Sequence, residues 1–188
     1  MNPIRMKDEI FDVVNERDEV VGKETRREVH RRNLLHRAVH VMVFNRQGEL
    51  FLQKRSMKKD NFPGVWDSSS SGHLDAGEDY DACAVRELRE EIGLSLGAPL
   101  AKHFKIDACP ETGFEFVWVY SGQADGPFAL QESEIECGGW FSLAEIESWI
   151  RKARHDFAGG FLKVWETVEA RGGWSKVVGL RKIGRAHV

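Results

Sequence analysis

Residues 72–94 read GHLDAGEDYDACAVRELREEIGL, and this stretch decides the fold. The segment from Asp79 to Ile92 has helical character and Gly93 is a helix-ending residue type, which predicts a helix over 79–92. At about 100° per residue, with Glu87 set at about 0°, Glu91 falls near +40° and Glu90 near −60°. The three carboxylates share one face. Ala82, Val85, Leu88 and Ile92 fall between about 100° and 220°, the arc expected to face a core. Arg89 falls in the same arc, which amphipathicity does not explain. Like charges three and four residues apart destabilise a helix by roughly 0.2–0.5 kcal/mol per pair. Neighbouring carboxylates also resist ionising together. Arg86, four residues before Glu90, offsets part of this. A hard dication, Mg²⁺ or Mn²⁺, removes the rest, because such ions prefer carboxylate oxygens. A bare Glu-x-x-Glu-Glu face is commonly just solvated, so the wider context has to decide.

Outward from this stretch the chain alternates strands and helices. Residues 9–24 hold two short apolar runs around Asn15-Glu16-Arg17-Asp18, which predicts an N-terminal β-hairpin. Thr25 caps a short helix, and HRAVHVMVFN follows as a buried strand. Asn45 to Gly48 make a turn into the strand ELFLQKRS, and Asn61 to Gly64 make a Pro-Gly loop. Ser68 to Ser71 could be a flexible linker, but Trp66 and His73-Leu74 on either side favour an ordered edge. FKIDA and FEFVWVYSGQ are further strands. Ser142 with Glu145 forms a capping box before SLAEIESWIRKA, and FAGGFLKVWETVEAR predicts a last helix. The fold expected is α/β: a mixed sheet with helices packed on it.

The chain has 188 residues, the size of one domain, here taken as 1–182. With 41% apolar and 30% charged residues and a net charge of −3, it has the composition of a globular protein. That balance argues against a nucleic-acid coat or a polybasic membrane anchor. The opening MNPIRMKDEIFDVV has no long apolar core, so neither a signal peptide nor a membrane span is expected. Cys83, Cys109 and Cys137 are odd in number and none forms a CxxC pair, which fits a reducing compartment and a cytoplasmic location. Ile183 to Val188, IGRAHV, matches what a common sequencing adapter encodes and is read as a non-native tail.

The stretch 72–94 fits Gly-x5-Glu-x7-Arg-Glu-Leu-x-Glu-Glu-x-Gly-Leu at every specified position. This resembles the signature of the Nudix hydrolase family. The resemblance implies an α/β/α sandwich and a substrate that is a nucleoside diphosphate derivative or another organic diphosphate. It implies that Glu87, Glu90 and Glu91 bind catalytic metal, that the Gly72 carbonyl and Glu78 assist, and that Arg86 orients a metal-binding glutamate. Lys54 and Arg55 sit where the family often contacts phosphate, although a solvated strand end explains them equally. Glu115 and Glu134 are candidate bases or extra ligands, or ordinary surface glutamates. His73 could approach the substrate or make a structural hydrogen bond. Trp66 and Trp140 read as core, and Cys83 as a small buried thiol.

The resemblance extends over about residues 9–150 to a branch related to type-1 isopentenyl-diphosphate isomerase. It is carried by the hairpin, LLHRAVHVMVFNRQGELFLQKRS, FPGVWDSSSSGH and WFSLAEI, and by Ser-Ser-Gly where many members have Pro-Gly-Gly. The isomerase has a catalytic cysteine directly before the GH pair; here that residue is Ser71, a far poorer proton donor to carbon. Glu115 appears where a second isomerase carboxylate stands. A metal-dependent hydrolase is therefore expected first, an isomerase second, and a non-enzymatic binding module third. A small-molecule diphosphate is the expected partner, and the hairpin offers a way to pair two copies as a homodimer.

Overall fold

The computed structural model describes residues 9–59 and 61–179. The suspected tail at 183–188 lies outside them. Strands β1 (Ile10–Val14) and β2 (Val20–Thr25) form the N-terminal hairpin, and Thr25 caps α1 (Arg26–Arg31) through a hydrogen bond from the Glu28 N–H. The main sheet has seven strands. These are β3 (His36–Phe44), β4 (Leu50–Arg55), β5 (Trp66–Asp67), β6 (Ser70–His73), β7 (Ala101–Ile106), β8 (Glu115–Gln123) and β9 (Ile135–Phe141). Their order is β5-β4-β3-β8-β7, with β6 also on β3 and β9 also on β4. β3 and β8 run parallel and the remaining pairs antiparallel, so the sheet is mixed.

Alternation along β3 explains the layers. Ala38, Met42 and Phe44 point to one core, whereas Val39, Val41 and Val43 point to another. Both faces of this strand are buried, which is why it reads as nearly continuous apolar sequence. The second core is closed by α2 (Tyr80–Ile92) through Leu88 and Ile92. The first is closed by α3 (Leu143–Lys152) and α4 (Gly159–Ala170), with Ile146, Phe161, Val164, Trp165 and Val168 packed on the sheet. The short α5 (Trp174–Val177) buries Trp174 against Phe44. The result is an α/β/α sandwich with a mixed sheet and an N-terminal hairpin. Trp66 and Trp140 both pack on these cores, Trp66 edge-on to Phe141 and Trp149.

Three local findings go beyond the sequence expectations. The serine run is fully buried at Ser68, Ser69 and Ser70. Ser69 Oγ donates to the Phe51 carbonyl at 2.6 Å and accepts from the Val43 N–H at 2.8 Å, replacing ladder bonds where β3 and β4 diverge. β9 was not expected as a strand, because Gly138 and Gly139 carry little strand propensity. Glycine is required there: a Cβ on Gly138 would lie 2.3 Å from Phe51 Cζ. The buried arc of α2 also differs from the expected one. Val85 is 57% exposed and Ala82 and Arg89 face solvent, while Cys83, Ala84, Leu88, Glu91 and Ile92 are buried. The buried face is rotated toward the glutamates, and Arg89 needs no partner because it stands in water.

Candidate active site

β3 gives Ala38–Val41 to β6 but pairs with β4 only at Phe44, so β4 and β6 part. Along this parting runs a cleft of about 450 Å³, lined by Ala38, Val39, His40, Ser71 and Gly72 from the sheet and by Arg86, Glu87, Glu90 and Glu91 from α2. The helix is held at both ends. Asp79 accepts from the Ala82 N–H at 2.8 Å, and Gly93 adopts φ +67°, the left-handed conformation that closes a helix.

The rotation of α2 carries two glutamates inward. Glu91, 6% exposed, accepts at Oε2 from the Ser71 N–H and the Gln53 side-chain amide, both at 3.0 Å. Glu87 lies against Gly72 so closely that a Cβ there would sit 2.1 Å from its carboxyl carbon. Glu90 is half exposed at the mouth. Burial, with the Glu91 charge second, pushes the Glu87 carboxyl up to about 8. Burial pushes Glu91 up to about 7, against the pull of the Ser71 N–H. Each thus tends to hold a proton near neutrality, and a dication would serve the same electrostatic need.

Arg86 is the hub of the acidic helix. Its Nε and Nη2 form a fork with both oxygens of Glu78 at 2.8 Å. Nη1 reaches Glu87 at 2.7 Å and Glu90 at 3.2 Å, and Nη2 also donates to the His73 carbonyl at 3.0 Å. Burial opposes ionisation of Glu78, but the Arg86 hydrogen bonds and charge together with the Asp75 N–H outweigh it and hold the carboxyl below its ordinary value. Glu78 is committed to Arg86 and to the Asp75 N–H. Cys83 is buried beneath this hub, and burial pushes its thiol up, as suits an inert small side chain.

The other expected residues divide. Arg55 lines the cleft and pairs with Asp67 at 3.0 Å, while also donating to the carbonyls of Asn61 and Phe62. Lys54, on the next position of β4, pairs instead with Glu136 at 3.0 Å and is not among the cleft-lining residues. Lys59, which the sequence did not single out, lines the cleft and pairs with Glu134. His73 meets Glu115 at 2.8 Å across the cleft floor.

That contact belongs to a larger group. His30 from α1, His36 from β3, His73 from β6 and Glu115 from β8 each present a ligand atom within 4.8 Å of the others. Phe11 of the hairpin stacks on His36 and His73 with ring centroids 5.8 and 4.8 Å away. His36 Nδ1 lies 2.8 Å from the Leu34 carbonyl, which makes Nδ1 the donor and turns the Nε2 lone pair inward. That Nε2 atom has no hydrogen-bond partner among the described residues. Burial opposes the Glu115 charge, but the His73 contact, with the neighbouring imidazoles, holds its carboxyl well below the ordinary range. Three imidazoles with one carboxylate make a donor set suited to a borderline ion such as Zn²⁺. His30 and His36 were missed because only the folded chain brings four separate elements to one point.

Comparison with known proteins agrees with this geometry. The NUDIX domain family matches residues 34–170. The chain belongs to the Nudix hydrolase family. It is 35% identical over 142 residues to an uncharacterised Nudix hydrolase, YfcD, of Escherichia coli, covering 73% of this chain and 76% of the relative. It is 29% identical over 160 residues to isopentenyl-diphosphate Delta-isomerase 2 of Photorhabdus laumondii, covering 84% and 90% of the two chains. Among solved structures, DR0079 of Deinococcus radiodurans superposes with a TM-score of 0.68 at 30% identity, covering 80% of this chain and 92% of that one. Residues 72–94, with the acidic face of Glu87, Glu90 and Glu91, lie inside the matched span. Among the described residues, no helix is long and apolar enough to cross a membrane.

Proposed function

We propose that this Nudix enzyme hydrolyses a diphosphate linkage in a nucleoside diphosphate derivative or related organic diphosphate, with Mg²⁺ or Mn²⁺ held by Glu87, Glu90 and Glu91. The observation that carries this reading is the burial of Glu87 and Glu91 on one side of a cleft, where neither carboxylate ionises freely beside the other. Hard oxygen donors of this kind fit a hard dication. Such an ion, when bound, neutralises phosphoryl charge and acidifies water. The chain's own residues do the positioning. Gln53 and the Ser71 N–H orient one oxygen of Glu91, leaving the other toward the cleft. Arg86 aligns Glu87 and Glu90, and Gly72, packed against the Glu87 carboxyl, is the residue whose carbonyl would add an oxygen ligand. Arg55 presents positive charge to the outgoing phosphate, and Glu115 and Glu90 are the carboxylates available to take a proton from water. A cytoplasmic site of action and pairing of two copies through the hairpin, where Val20 and Val21 are exposed, belong to the same proposal. Fractionation of cells and sedimentation equilibrium test these two points; membrane recovery or a strict monomer removes the respective one.

The test of the main reading is release of phosphate or a monophosphate from a panel of diphosphates. It should require Mg²⁺ or Mn²⁺ and fail in Glu91→Gln. An isomerase is the second reading, favoured by the 29% identical relative and by Glu115 beside His73 in the cleft. Ser71 Oγ, at the cysteine position, lies 3.5 Å from Asp67 Oδ2 and is a weak acid. Deuterium uptake from solvent into isopentenyl diphosphate would support this second reading; its absence, with diphosphate cleavage present, removes it.

A further inference from the structure

The cleft has a second wall, opposite the Nudix helix, for which the hydrolysis has so far no use. It is built by His40 on β3 and the first turn of α4. His40 is 5% exposed and lines the cleft together with Ala158 and Gly160. Its Nδ1 sits 2.6 Å from Ser68 Oγ, which fixes the ring. The opposite edge of the ring points at α4, because a Cβ on Gly160 would lie 3.1 Å from Nε2 and 3.2 Å from Cε1. Nε2 has no hydrogen-bond partner among the described residues. Ser68 Oγ has no other acceptor among them, so its hydroxyl donates to Nδ1 and Nε2 carries the ring proton.

The helix end facing this N–H is itself short of acceptors. Ala158, the N-cap of the 12-residue α4, supplies no side-chain hydrogen bond. The Ala158 N–H is used by the Trp66 carbonyl at 2.9 Å, and the Leu162 N–H closes the first turn on the Ala158 carbonyl at 3.0 Å. The N–H groups of Gly159, Gly160 and Phe161 between them have no acceptor among the described residues. Orphan donors at the positive end of a helix favour a negatively charged oxygen. A buried imidazole N–H aimed at the same turn adds a donor from another element. Burial keeps His40 below its ordinary range against the pull of Asp67, so the free ring is a neutral donor. Three acids border this wall: Glu111 is exposed and turns its backbone carbonyl to Gly159, while Asp67 and Glu115 face His40 with Asp67 committed to Arg55 and Glu115 to His73.

We propose that His40 Nε2 and the N-terminus of α4 form an anion subsite for a phosphate group of the substrate beyond the diphosphate held at the acidic helix. This rests on the hydrolase reading for its role and selects a substrate class: diphosphates carrying a third phosphoryl group, in a polyphosphate chain or as a separate monoester. Both glycines serve it indirectly, since a side chain at Gly160 would push the ring tip aside and one at Gly159 would strike the Glu111 carbonyl at 2.9 Å.

The test is a nitrogen-15 NMR titration of the full chain with inorganic phosphate in the presence of EDTA, so that no metal site contributes. The amides of Gly159 and Gly160 and the His40 Nε2 resonance should shift together and saturate. His40→Phe, which keeps a ring against Gly160 and loses the donor, should abolish the response. Should that variant fail to fold, Gly160→Ala should weaken it by crowding Nε2. In turnover, His40→Phe should raise KM about tenfold for a nucleoside triphosphate or other three-phosphate substrate, about 1.4 kcal/mol of lost binding, and leave kcat unchanged. KM for a two-phosphate substrate should stay as in the parent. Phosphate shifts confined to Arg55 and Lys59, no shifts at all, or equal KM changes for both substrates would overturn the subsite. If phosphate shifts these resonances while every diphosphate stays intact, the hydrolase reading fails and the subsite stands.

Discussion

At the scale of single residues, the proposed function is concentrated in carboxylates that the fold forces together. Glu91 is the most constrained, with one oxygen fixed by Ser71 and Gln53 and the whole side chain buried. Glu91→Gln keeps the shape and can still accept the Ser71 N–H, so far-ultraviolet circular dichroism should be unchanged. It removes the charge that holds a dication, and kcat should fall at least about 100-fold, equivalent to about 2.7 kcal/mol of transition-state stabilisation. Glu90→Gln should act in the same direction, because Glu90 stands at the mouth of the same cleft. Near-parental turnover in either folded variant would contradict the assignment. Residue identity was the most legible level of the sequence. Spacing put the three glutamates on one face with Arg86 beside them; their metal role, and the roles of Arg86 and Gly72, came from the resemblance to the Nudix signature. Lys59, His30, His36 and His40 were not singled out, since nothing in their local sequence reports the cleft that only tertiary folding creates.

At the scale of elements, the decisive contact is between α2 and β6. Gly72 must lack a side chain because Glu87 fills the space where a Cβ would stand. Gly72→Ala should therefore eject Glu87 from the cleft, and kcat should drop at least about tenfold, the 1.4 kcal/mol step expected for a misplaced catalytic group. A crystal structure of the variant with Glu87 unmoved would show this account of the glycine to be wrong. Elements with strong local signals were readable: the Gly93 cap, the Ser142–Glu145 box, the alternation in β3. β9 was hidden by two glycines whose purpose is tight approach to Phe51 and Phe141. The orientation of α2 was misjudged because apolar residues were given the core by default. Burial of Glu87 and Glu91 overrides that default, as expected where a charged site outweighs helix patterning.

At the scale of the whole molecule, placing acidic groups inside the fold couples stability to pH. The folded-state values of Glu87 and Glu91 are raised to about 8 and about 7 from the ordinary carboxylate value of 4.5. Between pH 4.5 and 8 these two carboxyls bind more protons in the native state than in the unfolded chain and lower stability as pH rises. His30, His40, His73 and His103, held below their ordinary value by burial, act in the opposite direction below pH 6.5, so the loss belongs to the window from pH 6.5 to 8. Metal-free protein should lose melting temperature across that window. Saturating Mg²⁺ should flatten the loss by binding the ionised carboxylates of the native state alone. Scanning calorimetry from pH 5 to 8 with EDTA or Mg²⁺ would check this, and identical profiles under both conditions would argue against a cation among these glutamates. The hairpin enters the same balance, because it carries Phe11 onto the histidines and lets Asp12 accept from the Gly77 N–H at 2.8 Å in the stretch 72–94.

The most direct measurement is phosphorus-31 NMR of a diphosphate panel incubated with the enzyme in oxygen-18 water. The account predicts that, with Mg²⁺, at least one diphosphate is cleaved and one product carries the isotope shift of a single oxygen-18 on phosphorus, while EDTA prevents it. Intact diphosphates throughout, or products formed without solvent oxygen, would contradict it.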